Sequence, residues 1–137
     1  MTAFDPDSVE KLEFTEEQVA GYLESAKKFL CIADESKTPE VKFQFSYDAL
    51  LKLGITALAH KGYRVKIRLG HHMKTISALA EILNDKNIAI MGNSMRSKRN
   101  LDLYDQGWIV TEKEADEYCS FTKQVSKKVK ALMKPTA

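Results

Sequence analysis

One segment in the middle of the chain constrains the fold more than any other. Residues 40–62 read EVKFQFSYDALLKLGITALAHKG and place apolar side chains on nearly every side of a helix. Pro39 precedes the segment and is favoured in a first helical turn, whereas Gly62 supplies a stop. A helix that is hydrophobic all round must be covered by other elements. The segment therefore predicts the central, most buried helix of a helical bundle.

Two sequence signals outside this segment mark the starts of further helices. Thr15 with Gln18, and Thr111 with Glu114, have the form of a capping box, in which each side chain satisfies a backbone N–H of the first turn. Apolar residues recur at helical spacing after each box. We expect a first helix over about residues 15–36 and a long last helix that ends before Pro135.

The region between the central helix and the last helix predicts two more helices. Apolar spacing runs from His71 to a break at Asn84, and again from Ile88 to about Gln106. Residues 63–70 alternate weakly, but an isolated strand would leave its backbone without partners, so we expect a loop there. The fold class is therefore all-α, an up-and-down bundle of about five helices.

The chain length favours one domain. The 137 residues suit a single compact core, and we expect residues 15–137 to form it behind a flexible, acid-rich N-terminal tail over residues 1–14. Neither a run of about 18 apolar residues nor a basic leader is present, which predicts a cytoplasmic protein that does not contact membranes. Cys31 and Cys119 lack a CxxC neighbour and fall on helical apolar stripes, so we expect buried free thiols and neither metal nor cofactor.

The charge balance limits how the chain can meet nucleic acid. Twenty-one Lys and Arg oppose nineteen Asp and Glu, for a formal charge of +2. A broad basic surface is therefore excluded, and any contact with nucleic acid must be local.

The densest set of functional groups is the segment RSKRNLDLYD at residues 96–105. On a helix, Arg96, Arg99, Asn100 and Tyr104 lie along one side. Guanidinium, amide and phenol groups together suit the recognition of phosphate. The same run, with its acids nearby, is also typical of a solvated helix face that carries ion pairs. Both interpretations remain open from spacing alone.

Three further residues, which precede this segment in the sequence, are candidates for a binding site. His71 and His72 stand at a predicted helix start, but adjacent helical residues diverge by about 100° and do not chelate a metal together. One of them is therefore expected to cap the helix or to serve as a polar core residue. Arg64 alternates with other basic residues in the preceding loop, and it either extends a phosphate-binding surface or lies on a solvated loop.

Three segments in order resemble HEPN-domain proteins. They are FSYDALLKLGITALAHKGYR for the second helix, GHHMKTISALAEIL for the opening of the third, and RSKRNLDLYDQGWIVTEKEADEY for the C-terminal signature. The resemblance covers roughly Thr15 to Leu132. In that family an Arg, a polar residue, a short spacer and a His form a ribonuclease motif. The resemblance implies that Arg99 is the Arg of this motif and that Asn100 is its polar residue. Tyr104 then occupies the position of the catalytic His.

The resemblance also implies partners and a biological setting. HEPN chains pair as homodimers, and some act with a minimal nucleotidyltransferase that modifies a tyrosine near the motif. A toxin–antitoxin or defence component is therefore expected.

Three functions follow as hypotheses. The first is a module that presents Arg99, Asn100 and Tyr104 to RNA or a nucleotide; the further binding residues are Arg96, Lys98, Asp105, Arg64, His71 and His72. The second is a metal-independent ribonuclease in which Arg99 stabilises the phosphorane, Asn100 orients the phosphate, and Tyr104 or a His from the same cleft handles the proton. The third is a scaffold in which Arg99 forms ion pairs with no cleft beside it. The first two hypotheses differ in one requirement. A ribonuclease needs a titratable group within hydrogen-bond reach of the phosphate that Arg99 binds, whereas a binding module needs only hydrogen-bond donors.

Overall fold

A computed structural model of the chain describes residues 6–66, 70–105 and 110–134, and for residues 101–105 it describes the backbone alone. Within these ranges the chain forms five helices and one two-stranded sheet, which confirms the helical class predicted from the sequence. In chain order they are β1 (Val9–Lys11), α1 (Glu16–Glu35), α2 (Pro39–His60), β2 (Tyr63–Val65), α3 (His71–Ile82), α4 (Lys86–Asp105) and α5 (Glu112–Met133). None of the helices in the described ranges combines the length and apolarity that crossing a bilayer requires.

Both predicted capping boxes are present and fix where α1 and α5 begin. The Thr15 hydroxyl accepts from the Gln18 backbone N–H at 3.1 Å, and the Gln18 side chain accepts from the Thr15 N–H at 2.8 Å. Thr111 and Glu114 repeat the exchange at the start of α5, with both distances 3.1 Å. These bonds satisfy donors that have no partner inside the helix.

The central helix α2 forms the middle of the core, as its apolar sequence predicted. Phe43, Tyr47, Leu50 and Leu53 are fully buried, and α2 contacts each of the other four helices. The core therefore depends on how closely the surrounding helices approach α2.

A small antiparallel sheet corrects two of the sequence-based predictions. Val9 pairs with Val65, and Lys11 pairs with Tyr63. Residues 63–65 therefore form a strand where a loop was expected. Residues 9–11 form the other strand, although they were expected to belong to a flexible tail. The predicted tail itself supplies the partner that an isolated strand would lack. Val9 is buried against Leu58, which anchors the strand pair to the bundle.

The two cysteines differ from each other. Cys119 is buried, as predicted, but Cys31 is exposed, so the expectation of a buried thiol was wrong there. The Cys31 Sγ lies 3.5 Å from the Glu35 carboxylate one turn later, and this hydrogen bond and the negative charge raise the pKa of the thiol. Its neighbours three and four residues away are Lys27, Lys28, Asp34 and Glu35, so helical spacing places Cys31 on the charged face of α1 and away from the buried stripe.

Helix α3 approaches its two neighbours very closely at two glycines. A Cβ on Gly54 of α2 would stand 2.6 Å from the Thr75 Cγ2 and 3.2 Å from the Thr75 carbonyl oxygen. A Cβ on Gly92 of α4 would stand 2.6 Å from the Ile76 Cγ2. Both glycines are buried, and a side chain at either position would require Thr75 or Ile76 to move.

We predict that Gly54→Ala lowers the free energy of unfolding by about 1–3 kcal/mol, because overpacking outweighs the better helix propensity of alanine. Gly21→Ala in α1 is the matched control, since a Cβ there meets nothing within 4 Å. The control should raise the free energy of unfolding by up to about 1 kcal/mol. Urea unfolding of both variants measures this, and equal effects would contradict the close approach of α3 to α2.

Candidate functional site at the junction of α2, α3 and α4

Three side chains meet where α3 begins. Tyr47 comes from α2, His72 from the first turn of α3, and Arg99 from α4. The Tyr47 hydroxyl lies 3.2 Å from the His72 Nδ1, and either atom is the donor, depending on the imidazole tautomer. The guanidinium carbon of Arg99 lies 5.8 Å from the centre of the Tyr47 ring, within the range of a cation–π contact. We call these three residues the Tyr47–His72–Arg99 cluster.

The members of the cluster differ in their access to solvent. Tyr47 is fully buried, whereas His72 and Arg99 are half-buried. Tyr47 therefore supports the other two: its ring lies beneath the guanidinium of Arg99, and its hydroxyl holds the imidazole of His72. Only His72 and Arg99 can touch a ligand.

Further polar side chains surround the cluster. The ring centroid of His71 lies 4.5 Å from that of His72, and Arg96 precedes Arg99 by about one turn of α4. Asp48 follows Tyr47 on α2 and accepts a hydrogen bond from the Gln44 side chain at 3.1 Å. Arg96 donates to the Asn93 side chain at 3.4 Å, within its own helix.

Burial controls the protonation of the cluster. It raises the pKa of Tyr47 to about 12, although the charges of Arg99 and Arg96 oppose the shift. Burial also lowers the pKa of His72 below its ordinary value of 6.5; His71, Arg99 and Arg96 add to this shift, and Asp48 opposes it. At neutral pH the phenol is therefore protonated and the imidazole is predominantly neutral, beside two guanidinium cations.

This set of groups is suited to a phosphate ester. Arg96 and Arg99 lie three residues apart on one helix, so their guanidinium groups share a side of α4. Each offers a planar fork of donors to phosphate oxygens. When the buried phenol donates to the His72 Nδ1, the Nε2 carries the proton and is a further donor.

The structure separates the candidates that the sequence grouped together. His72, Arg96 and Arg99 converge on the cluster, and His71 lies next to it. Lys98 instead forms an ion pair with Glu114 at 2.8 Å, which joins α4 to the capping box of α5. Arg64 forms an ion pair with Glu10, its partner residue across the sheet.

The remaining candidates lie near the C-terminal end of α4. Asn100 is exposed. The side chains of Tyr104 and Asp105 lie outside the part of the chain that the structure describes. The roles predicted for these three residues therefore stay predictions.

The scaffold hypothesis predicted that ion pairs occupy Arg99. Among the described side chains, no carboxylate forms an ion pair with Arg99 or Arg96. The same part of the chain contains no group of three or more His, Cys, Asp and Glu side chains placed to hold a metal ion.

Sequence analysis missed Tyr47 and Asp48 as site residues. Tyr47 occupies a helical core position, and periodicity cannot show that its hydroxyl reaches a histidine 25 residues further along. One signal was present: Asp48 is the single acid between residues 41 and 80, in the most apolar helix of the chain. A lone acid next to a buried tyrosine marks a polar site within a core helix.

Comparisons with known proteins do not identify the chain. No protein-family model matches it, and neither a curated protein nor a solved structure does.

We predict that Arg99→Ala raises the pKa of His72, because a nearby positive charge that disfavours the imidazolium is removed. Lys98→Ala removes an equal charge from the adjacent position. It should leave the pKa of His72 unchanged, because Lys98 pairs with Glu114. NMR titration of the His72 ring nitrogens in both variants measures the two values. Equal responses would contradict the placement of Arg99 beside His72.

Proposed function

We propose that this chain is an RNA-binding helical module of the HEPN type, in which Arg99 and Arg96 hold an RNA phosphate beside His72. One observation carries the proposal: the Arg99 guanidinium lies over the Tyr47 ring, and the hydroxyl of the same ring contacts His72. A cation and a neutral imidazole are thus held together on one buried support. Such preorganised donors favour an anionic ester with little loss of side-chain entropy on binding.

The origin of the cluster in the sequence supports the HEPN assignment. The three segments that resemble the family each contribute one member: Tyr47 from the first, His72 from the second and Arg99 from the third. The three segments therefore lie next to one another in the fold, as the resemblance would require. The helical class of the structure agrees with the fold that the resemblance implies.

RNA is the class of ligand that we favour. A formal charge of +2 is too small for the broad basic surface that binds duplex DNA, whereas a two-arginine site suits a local contact with a single strand. We also propose a toxin–antitoxin or defence setting, with a homodimer and a nucleotidyltransferase partner. That part rests on the resemblance alone.

We predict that Arg99→Ala weakens the binding of a fluorescein-labelled single-stranded RNA. The slope of log K against log salt should fall in magnitude by about 0.7, as expected for one lost phosphate contact on a single strand. Fluorescence anisotropy over a series of salt concentrations measures both quantities.

Lys128→Ala is the matched control for this experiment. It removes the same charge from α5, where Lys128 pairs with Asp85 at the other end of α4, about 20 Å from Arg99 along the helix. The control should bind RNA like the unaltered chain. Equal losses of RNA affinity in the two variants would show that only the net charge matters and would contradict a local site. An unaltered chain that binds no RNA would refute the proposal.

A second candidate function is metal-independent RNA cleavage, favoured by the neutral His72 beside Arg99. In the tautomer whose Nδ1–H donates to the Tyr47 oxygen, the Nε2 is a base that can take the proton of a ribose 2′-hydroxyl. The 2′-oxygen then attacks the adjacent phosphorus, and the 5′-oxygen leaves with a proton returned by the imidazolium. Arg99 would stabilise the negative charge of the phosphorane. Tyr47 would be a positioning residue, because it is fully buried.

For this candidate, we predict that end-labelled RNA is cleaved in the presence of chelator and that His72→Gln abolishes cleavage while RNA binding persists. Cleavage should increase as the pH rises through the pKa of His72, which lies below 6.5, because the neutral imidazole is the active form. Tyr47→Phe should shift this pH profile without abolishing cleavage. If the His72→Gln variant still cleaves RNA, the cleavage comes from a contaminant or from another residue. If the unaltered chain does not cleave RNA, the binding module remains as the function.

A further inference from the structure

A pocket of about 290 Å³ opens on the bundle surface between α1, α2, α3 and the sheet. Its walls are mainly apolar and aromatic, and the residues that matter here are Phe14, Tyr22, Ile55, Tyr63, His71 and Thr75. The volume is just below the range of about 300–1,000 Å³ that is usual for ligand pockets, so a single small ring system suits it. Two wall residues, Tyr22 and Ile55, are exposed at 37% and 45% although both are large and apolar.

The pocket lies beside the Tyr47–His72–Arg99 cluster, with His71 between them. His71 lines the pocket, and its ring centroid lies 4.5 Å from that of His72, which contacts Tyr47. Thr75, one turn further along α3, also lines the pocket and is the residue that packs on Gly54. The close approach of α3 to α2 therefore fixes the pocket and the cluster relative to each other.

We propose that this pocket receives one nucleobase of the nucleotide whose phosphate binds at the Tyr47–His72–Arg99 cluster. The inference rests on the proposed function and extends it from the phosphate to the base. An unstacked base has two apolar faces and a polar edge, and proteins bind it by stacking on aromatic rings. Three aromatic side chains, Phe14, Tyr22 and Tyr63, lie in the walls, and Phe14 meets Tyr22 edge to face at 5.9 Å between ring centroids.

The charge around the pocket favours a base that belongs to a nucleotide over a wholly apolar ligand. The wall that separates the pocket from the cluster is a histidine, and the cations Arg96 and Arg99 lie beyond it. A lipid chain would fill the apolar pocket but would make no contact with the two arginines. A nucleotide matches both parts, because the ribose joins an aromatic base to a phosphate.

The test compares adenosine 5′-phosphate with ribose 5-phosphate, which carries the same phosphate but no base. Isothermal titration calorimetry on the full chain measures both affinities. We expect adenosine 5′-phosphate to bind at least about fivefold more tightly, the weaker end of what stacking of one base contributes. Arg99→Ala should weaken both ligands, since each places its phosphate at the cluster.

Ile55→Glu places a carboxylate at the pocket mouth and should remove the preference for adenosine 5′-phosphate while leaving ribose 5-phosphate unchanged. Ile90→Glu is the matched control, because Ile90 is also an exposed helical isoleucine, at 68% exposure, and does not line the pocket. Tyr22→Ala changes a second exposed wall residue and adds no charge. It should also remove the preference for adenosine 5′-phosphate.

Two results would overturn the inference. Equal affinities for the two ligands, unaffected by Ile55→Glu and Tyr22→Ala, would refute the base pocket while leaving the phosphate site intact. Absence of binding by both ligands, together with absence of RNA binding, would refute the proposed function and the base pocket together.

Discussion

The close approach of α3 to its two neighbours is the constraint on which the rest of this structure depends. Gly54 and Gly92 have no side chain where Thr75 and Ile76 pack, so α3 lies against both α2 and α4. Because His72 stands one turn before Thr75, the same contact brings the imidazole to Tyr47 and beside Arg99. Small residues at a helix crossing thus set the geometry of a polar site several ångströms away.

A buried phenol explains why the cluster is stable as well as functional. Tyr47 is fully buried, and a hydroxyl without a partner in such a position would cost about 1–3 kcal/mol. The imidazole of His72 provides that partner, and Arg99 covers the ring face while its charge remains accessible to solvent. Burial keeps the imidazole neutral at pH 7, which makes His72 available as a hydrogen-bond donor or as a base. Folding and ligand recognition therefore use the same contacts.

The sequence predicted features that local physical chemistry determines, and missed those that depend on distant contacts. Capping boxes at Thr15 and Thr111 located the starts of α1 and α5, and the apolar segment after Pro39 identified the central helix. The sheet was missed because two three-residue strands, 54 residues apart, carry little signal until they are paired. Arg99 and His72 were identified as candidates by residue type. Their convergence was not predictable, because it requires Tyr47, whose spacing resembles that of any core residue.

The central claim is that RNA meets the chain where α2, α3 and α4 converge. The most direct measurement is a titration of the ¹⁵N-labelled protein with a short single-stranded RNA, followed by backbone amide chemical shifts. The account predicts that the largest changes fall near Tyr47, in the first turn of α3 and from Arg96 to Arg99, and that they continue along the wall of the pocket at Tyr22. Changes confined to the exposed lysines of α5, Lys127, Lys128 and Lys130, or scattered over the surface, would contradict it.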